Sequence, residues 1–230
     1  MGCSNSTGPA VEQGDPVFYY FPFAGRGEIS RLCAAAGGLK IEEKNFSPQD
    51  ERAAICKECG AIGTGLPILK HGNNLSMCQS SAIQNYICAI GPRFKDVPMR
   101  VRAIDAMYFA HVEDMLAEIG KSGIFGELFG GPPTNTDELK SALEKWCKHL
   151  ESQVPSAGFI AGQAFPTGSD CVILCLYRGV APWKIFFDKS GVNKADFPKL
   201  KSLEDRTAQA PGIKEYLERS TSISLNPFSQ

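Results

Sequence analysis

Hydrophobic spacing changes character once along the 230-residue chain, and the change predicts an α/β domain followed by an all-α domain. From Pro16 to about Pro92, short apolar runs alternate with helical stretches. From Val97 onward, apolar residues recur at helical intervals alone. The predicted organisation is a tail over 1–14, an α/β domain over 15–92 and a helical domain over 97–228.

The elements follow in order. Val17-Phe-Tyr-Tyr-Phe21 reads as a buried strand. Glu28 to Ala36 is helix-like and stops at Gly37-Gly38. Leu39 to Phe46 is a second strand, and Pro48 opens a short helix running to about Cys59. After a loop over Gly60 to Gly65, Pro67 to Lys70 and Asn74 to Met77 form a hairpin turned by His71-Gly-Asn73. Gln79 to Ile90 is a helix ended by Gly91-Pro92. The order βαβ then αββα is thioredoxin-like. In the second half, Val101, Ile104, Tyr108, Val112, Met115 and Ile119 mark one helix. Gly120 to Pro133 is a break, and Leu139, Leu143, Trp146 and Leu150 mark the next helix. Thr167-Gly-Ser-Asp170 is a capping box ahead of Cys-Val-Ile-Leu. Asp196 to Glu218 holds one or two helices split at Pro211.

Composition narrows the class. Net charge is −1, so nothing suggests a nucleic-acid partner. No run approaches the ~18 apolar residues of a membrane span, and the Ser- and Gly-rich start lacks the apolar core of a secretion signal. Nine cysteines in such a chain read as reduced thiols in the cytoplasm. Met1-Gly2-Cys3-Ser4-Asn5-Ser6 matches the N-myristoylation pattern. Gly2 would take the myristoyl chain and Cys3 a palmitoyl chain. One chain holds a membrane only marginally, so Cys3 would supply the second signal for attachment to the cytoplasmic face. The alternative is a chance match in a mobile tail.

Four segments carry a family resemblance. Tyr20-Phe-Pro-Phe-Ala-Gly-Arg26-Gly-Glu28 follows the first strand and opens the first helix. Leu66-Pro67-Ile-Leu69, Gln79-Ser80-Ser-Ala-Ile83, and Phe159-Ile-Ala-Gly162 with its capping box follow in register. Together they resemble the cytosolic glutathione S-transferases, especially tyrosine-type classes such as sigma, over roughly residues 17–220. The resemblance implies the glutathione S-transferase fold, glutathione as co-substrate, no metal, a small apolar electrophile as second substrate, and a homodimer.

It also assigns roles. A free thiol has a pKa of ~8.5, and holding it ionised near neutrality takes about 3 kcal/mol. A phenol that donates a hydrogen bond to sulfur favours the charged form, and Tyr20 is that phenol by family spacing, with Arg26 as its cationic support. Tyr20 also reads simply as a strand aromatic; Tyr19 competes with it, but adjacent strand residues face opposite sides. Arg26 also reads as a surface charge at a helix start. By resemblance, Pro67 is cis, and Leu66 before it pairs with the cysteinyl backbone of glutathione. Gln79 and Ser80 hold the γ-glutamyl end at a helix start, where free N–H groups and the dipole suit a carboxylate; Ser80 also reads as a cap of its own helix.

The chain departs from the family at the glycine carboxylate of glutathione. Glu51 and Gly65 stand near positions that commonly hold Trp or Lys, and Lys57 or Arg52 is the substitute. Asp105 or Asp114 is the acid that would reach the glutamyl amine from a second subunit. The apolar substrate would lie against Phe21 and Phe23 on one side and Tyr108, Met115 and Phe228 on the other. Cys56-x-x-Cys59 reads as two ordinary helix cysteines or as a redox pair, and Trp146 and Trp183 as packing residues. The expected activity is glutathione conjugation. The alternatives are a glutathione-dependent isomerase of the prostaglandin D synthase type and a non-catalytic ligand-binding protein at a membrane.

Overall fold

The computed structural model describes residues 12, 14–46, 49–61, 65–224 and 227. The lipidation residues Gly2 and Cys3, the wall residue Phe228, and Pro48 lie outside them. Among the described residues no helix is long and apolar enough to cross a membrane.

The first domain runs β1 (Val17–Tyr20), α1 (Glu28–Gly37), β2 (Glu42–Asn45), α2 (Gln49–Glu58), β3 (Ile68–His71), β4 (Leu75–Cys78) and α3 (Ser80–Ile90). The sheet order is β2-β1-β3-β4, with β1 parallel to β2 and antiparallel to β3. β2 begins three residues later than the apolar pattern suggests. Its four residues, Glu42-Glu-Lys-Asn45, are all exposed, so Leu39 and Ile41 serve as packing residues ahead of a charged edge strand. β1 alternates as a strand must: Phe18 and Tyr20 join the main core, whereas Tyr19 turns to the opposite face with Ile55, Cys56 and Ile68.

The second domain holds α4 (Met99–Gly120), α5 (Ile124–Leu128), α6 (Thr136–Gln153), α7 (Gly168–Tyr177), α8 (Trp183–Ser190), α9 (Pro198–Ala208) and α10 (Ile213–Arg219). α5 lies inside the predicted Gly/Pro break. Gly123 at φ 82° precedes it and Gly130 at φ 84° follows, so the glycines that signal a loop bracket one short helix.

α7 is buried along its whole length and packs against α1, α4 and α9. Its start is held by carboxylates, as the capping box predicts. Thr167 N–H donates to Asp170 Oδ2 at 2.8 Å, and Ile160 N–H donates to Asp170 Oδ1 at 2.9 Å. Asp105, on α4, accepts from the Thr167 hydroxyl at 2.7 Å and from Ser169 N–H and its hydroxyl, both at 2.8 Å. Asp105 is therefore a buried anchor between helices, not an acid available to a second subunit; Asp114 is exposed.

Candidate active site

A cavity of about 740 Å³ opens between the two domains. The end of β1 and the turn after it form one wall, with Tyr20, Phe21, Phe23 and Arg26; Ser80 and Gln84 of α3 stand beside them. α4 contributes Val112, Glu113 and Leu116, and α5 with its following turn contributes Phe125, Leu128 and Phe129. Pro182 and Trp183 reach it from the start of α8.

Tyr20 is fixed by its sequence neighbours. Its Oη accepts the Arg26 backbone N–H at 2.8 Å. The ring lies against Gly25 and Gly27, where a side chain would collide: a Cβ at Gly27 would stand 2.5 Å from Tyr20 Cδ1, and one at Gly25 would strike Tyr20 Oη. Gly25 also takes φ +44°, which favours glycine. The G-R-G step is thus the space the phenol occupies. Burial pushes the Tyr20 phenol above its ordinary range, against the opposing pull of the Arg26 N–H, the Arg31 and Arg26 charges and the Gly27 N–H. The phenol therefore keeps its proton near neutrality. With an oxygen lone pair engaged by Arg26, the O–H remains to donate toward the cavity.

The Arg26 side chain does not lie on the phenol. It crosses the cavity mouth to pair with Glu113 of α4, and both side chains are partly exposed. The cation beneath Tyr20 is Arg31, which the sequence reading passed over. Its guanidinium sits 5.7 Å from the Tyr20 ring centroid and 5.6 Å from that of Phe18. It donates to Phe21 O at 2.9 Å, Phe23 O at 3.1 Å, Glu43 Oε2 at 2.7 Å and Glu28 Oε2 at 3.3 Å. One buried cation thereby fixes the backbone of the turn that carries Phe21 and Phe23. Their rings stack at 5.4 Å and 8°, and both lean on Tyr20. Gly25 N–H donates to Ala181 O at 3.0 Å and ties the same turn to the helical domain.

The other predicted residues fall in several places. Ser80 lines the cavity, and Gln79 stands just outside the helix predicted to begin with it, at φ 78° and ψ 117°, with its carbonyl accepting the Ile83 N–H at 3.0 Å. A non-glycine residue rarely takes such a backbone, and its strain sits at the head of α3 beside the cavity. Leu66-Pro67 is cis, as the resemblance implies. Gly65, at φ 56°, packs where a Cβ would strike Ala61. Lys57 is exposed at the end of α2 and is not among the cavity-lining residues. Tyr108 and Met115 are corrected: both are 2% exposed and packed into the core. Tyr108 packs edge-on against His111 instead, and burial pushes its phenol up to about 12. α4 turns a neighbouring stripe, Val112 and Leu116, to the cavity. Trp183, read as packing alone, is buried against Phe186 and also lines the cavity.

Residues 125–220 match the family model described as glutathione S-transferase, C-terminal domain. A guinea pig protein named glutathione S-transferase A is 27% identical over 213 residues, covering 89% of this chain and 90% of its own. The mouse protein named glutathione S-transferase A3 is 26% identical over 216 residues, covering 89% of each. The chain is similar to glutathione S-transferases over most of its length. A solved glutathione S-transferase from Ascaris lumbricoides superposes with a TM-score of 0.69 at 22% identity, over 90% of this chain and 98% of that one. A rat structure titled hPGDS complexed with a quinoline superposes with a TM-score of 0.69 at 16% identity, over 92% of this chain and all of that one. Both have the glutathione S-transferase fold found here.

Proposed function

We propose that the protein conjugates glutathione to small apolar electrophiles, and that Tyr20 stabilises the attacking thiolate. The observation that carries this reading is the Tyr20 hydroxyl: it accepts the Arg26 N–H and keeps its own proton for a sulfur in the cavity. Because burial raises the phenol, Tyr20 is a neutral donor and not a base. The thiol proton passes to solvent, and the hydrogen bond favours the anion left behind. The remaining barrier is lowered by placing sulfur and electrophile together.

Glutathione fits this chain unevenly. The γ-glutamyl end has a built place at the head of α3, where Gln79 and Ser80 precede free helical N–H groups. The cis Leu66-Pro67 segment is the place for the cysteinyl backbone. For the glycine carboxylate the remaining candidate is Lys57 or Arg52 of α2, outside the cavity. Weak glutathione affinity follows. The electrophile meets the stacked Phe21 and Phe23 rings and the α5 wall, a surface that suits apolar compounds. The phenol supports a tyrosine-type reading, and the relatives include a rat protein named glutathione S-transferase alpha-3. A homodimer is part of the same proposal. Met99 and Met107 stand 79% and 45% exposed along α4, an apolar edge suited to a second copy.

Calorimetric titration with glutathione, run beside conjugation of an aryl halide, tests the reading. Tyr20→Phe is expected to lower kcat by roughly 10- to 100-fold, the worth of one charge-assisted hydrogen bond, while glutathione binding is nearly unchanged. Tyr19→Phe, on the other face of the sheet, should leave turnover intact. Saturable binding with no turnover in the wild type would refute the transferase reading.

A further inference from the structure

Eight cysteines lie among the described residues, and Cys59 and Cys78 are the two that are not buried. They come from different elements: Cys59 follows the last residue of α2, and Cys78 ends β4. Both pack on the small cluster of Tyr19, Ile55, Cys56 and Ile68, on the face of the sheet away from the cavity. Cys78 is held opposite Ile68 in the ladder. Cys59 Sγ donates to Cys56 O at 3.4 Å, and the Cys78 thiol, on the same cluster, is near enough to bear on the charge of the Cys59 thiol. Sequence spacing pairs Cys59 with Cys56. The fold instead buries the Cys56 side chain and brings Cys59 to Cys78.

We propose that Cys59 and Cys78 form a dithiol site that exchanges with small disulfides, glutathione disulfide among them, and closes to an intramolecular disulfide. In the first step the Cys59 thiolate attacks one sulfur of glutathione disulfide. That S–S bond breaks, a mixed disulfide forms at Cys59, and one glutathione leaves as a thiolate that takes up the proton Cys59 lost. In the second step the Cys78 thiolate attacks Cys59 Sγ and expels the second glutathione, which takes up the proton of Cys78. Two protein thiols are oxidised, and one glutathione disulfide is reduced to two glutathiones. Cys59 has the exposure the first step needs, but burial pushes its thiol up, so the exchange is slow at neutral pH.

The bond would tie the end of α2 to the end of β4. Cys78 is followed by Gln79, whose strained backbone starts α3, and Cys56 lies under Gly65, where an added Cβ would stand 3.2 Å from its sulfur. Both segments of the proposed glutathione site, Gly65 to Pro67 and Gln79, therefore adjoin this thiol cluster. The dithiol chemistry itself does not depend on the transferase reading.

The test is oxidation of the whole protein in glutathione buffers of rising disulfide content, followed by alkylation and peptide mapping by mass spectrometry. The expected main product is a Cys59–Cys78 cross-linked peptide, still formed in Cys56→Ser. Cys78→Ser should stop at a mixed disulfide between Cys59 and glutathione. A Cys56–Cys59 cross-link, mixed disulfides spread over several cysteines, or no oxidation at the highest disulfide content would each overturn the proposal. Circular dichroism melts of each variant verify that the products form on folded protein.

Discussion

Gly27 shows how much of the site is decided by absent atoms. Its missing Cβ is the space filled by the Tyr20 ring, 2.5 Å from where that carbon would be. Gly27→Ala should cost about 1–3 kcal/mol of stability through overpacking and displace the phenol from the Arg26 N–H. Denaturant unfolding and conjugation rate should fall together; a loss of stability with unchanged turnover would contradict the placement. Tyr20 and its glycines were legible in the sequence because their spacing is local. Arg31 was not. Glu28 and Arg31 look like an ordinary i,i+3 surface pair, yet both are buried. What gives Arg31 its role is the carbonyls of Phe21 and Phe23, which only the tertiary turn brings to it. Glu113 likewise meets Arg26 only once the domains are packed.

At the scale of elements, the strands and helices of the first domain were readable because apolar alternation and Gly or Pro stops agree there. α5 was missed because five residues with an internal Gly126 carry too little periodicity to stand against flanking turn residues. The Tyr108 assignment failed for another reason. Periodicity identifies the apolar stripe of α4 but not which neighbour that stripe meets, and here it meets the core. α7 offers a quantitative test. Burial, reinforced by the nearby Asp105, pushes the Asp170 carboxyl up to about 7 from an ordinary 3.8, although the Ile160 and Thr167 N–H groups pull it down. The folded state then binds the proton more tightly than the unfolded one. Stability should fall as pH rises from about 4 to about 7, by at most ~1.4 kcal/mol per pH unit. Asp170→Asn removes this titration, so its stability, lower overall, should vary less across that window in denaturant titrations. Equal pH slopes in the two proteins would contradict the assignment.

Across the whole molecule, the site exists because two domains share one interface. Glu28, at the head of α1, accepts from Tyr216 Oη at 2.7 Å and Ser222 Oγ at 2.8 Å, so the last helix and the segment after it are bonded to the end of the turn that follows Tyr20. The Gly25–Ala181 backbone bond and the Arg26–Glu113 pair close the same interface from the other side. These ties hold Tyr20 under a roof of helical-domain side chains, where the proposed hydrogen bond to sulfur would be shielded from water and gain strength. The central claim is that this bond ionises the thiol of glutathione. It is tested most directly by following the ultraviolet absorbance of the bound thiolate against pH, in the wild type and in Tyr20→Phe. The wild type should hold the thiol mostly ionised at pH 7, and Tyr20→Phe should return its midpoint toward the ~8.5 of a free thiol. Identical midpoints in the two proteins would contradict the account.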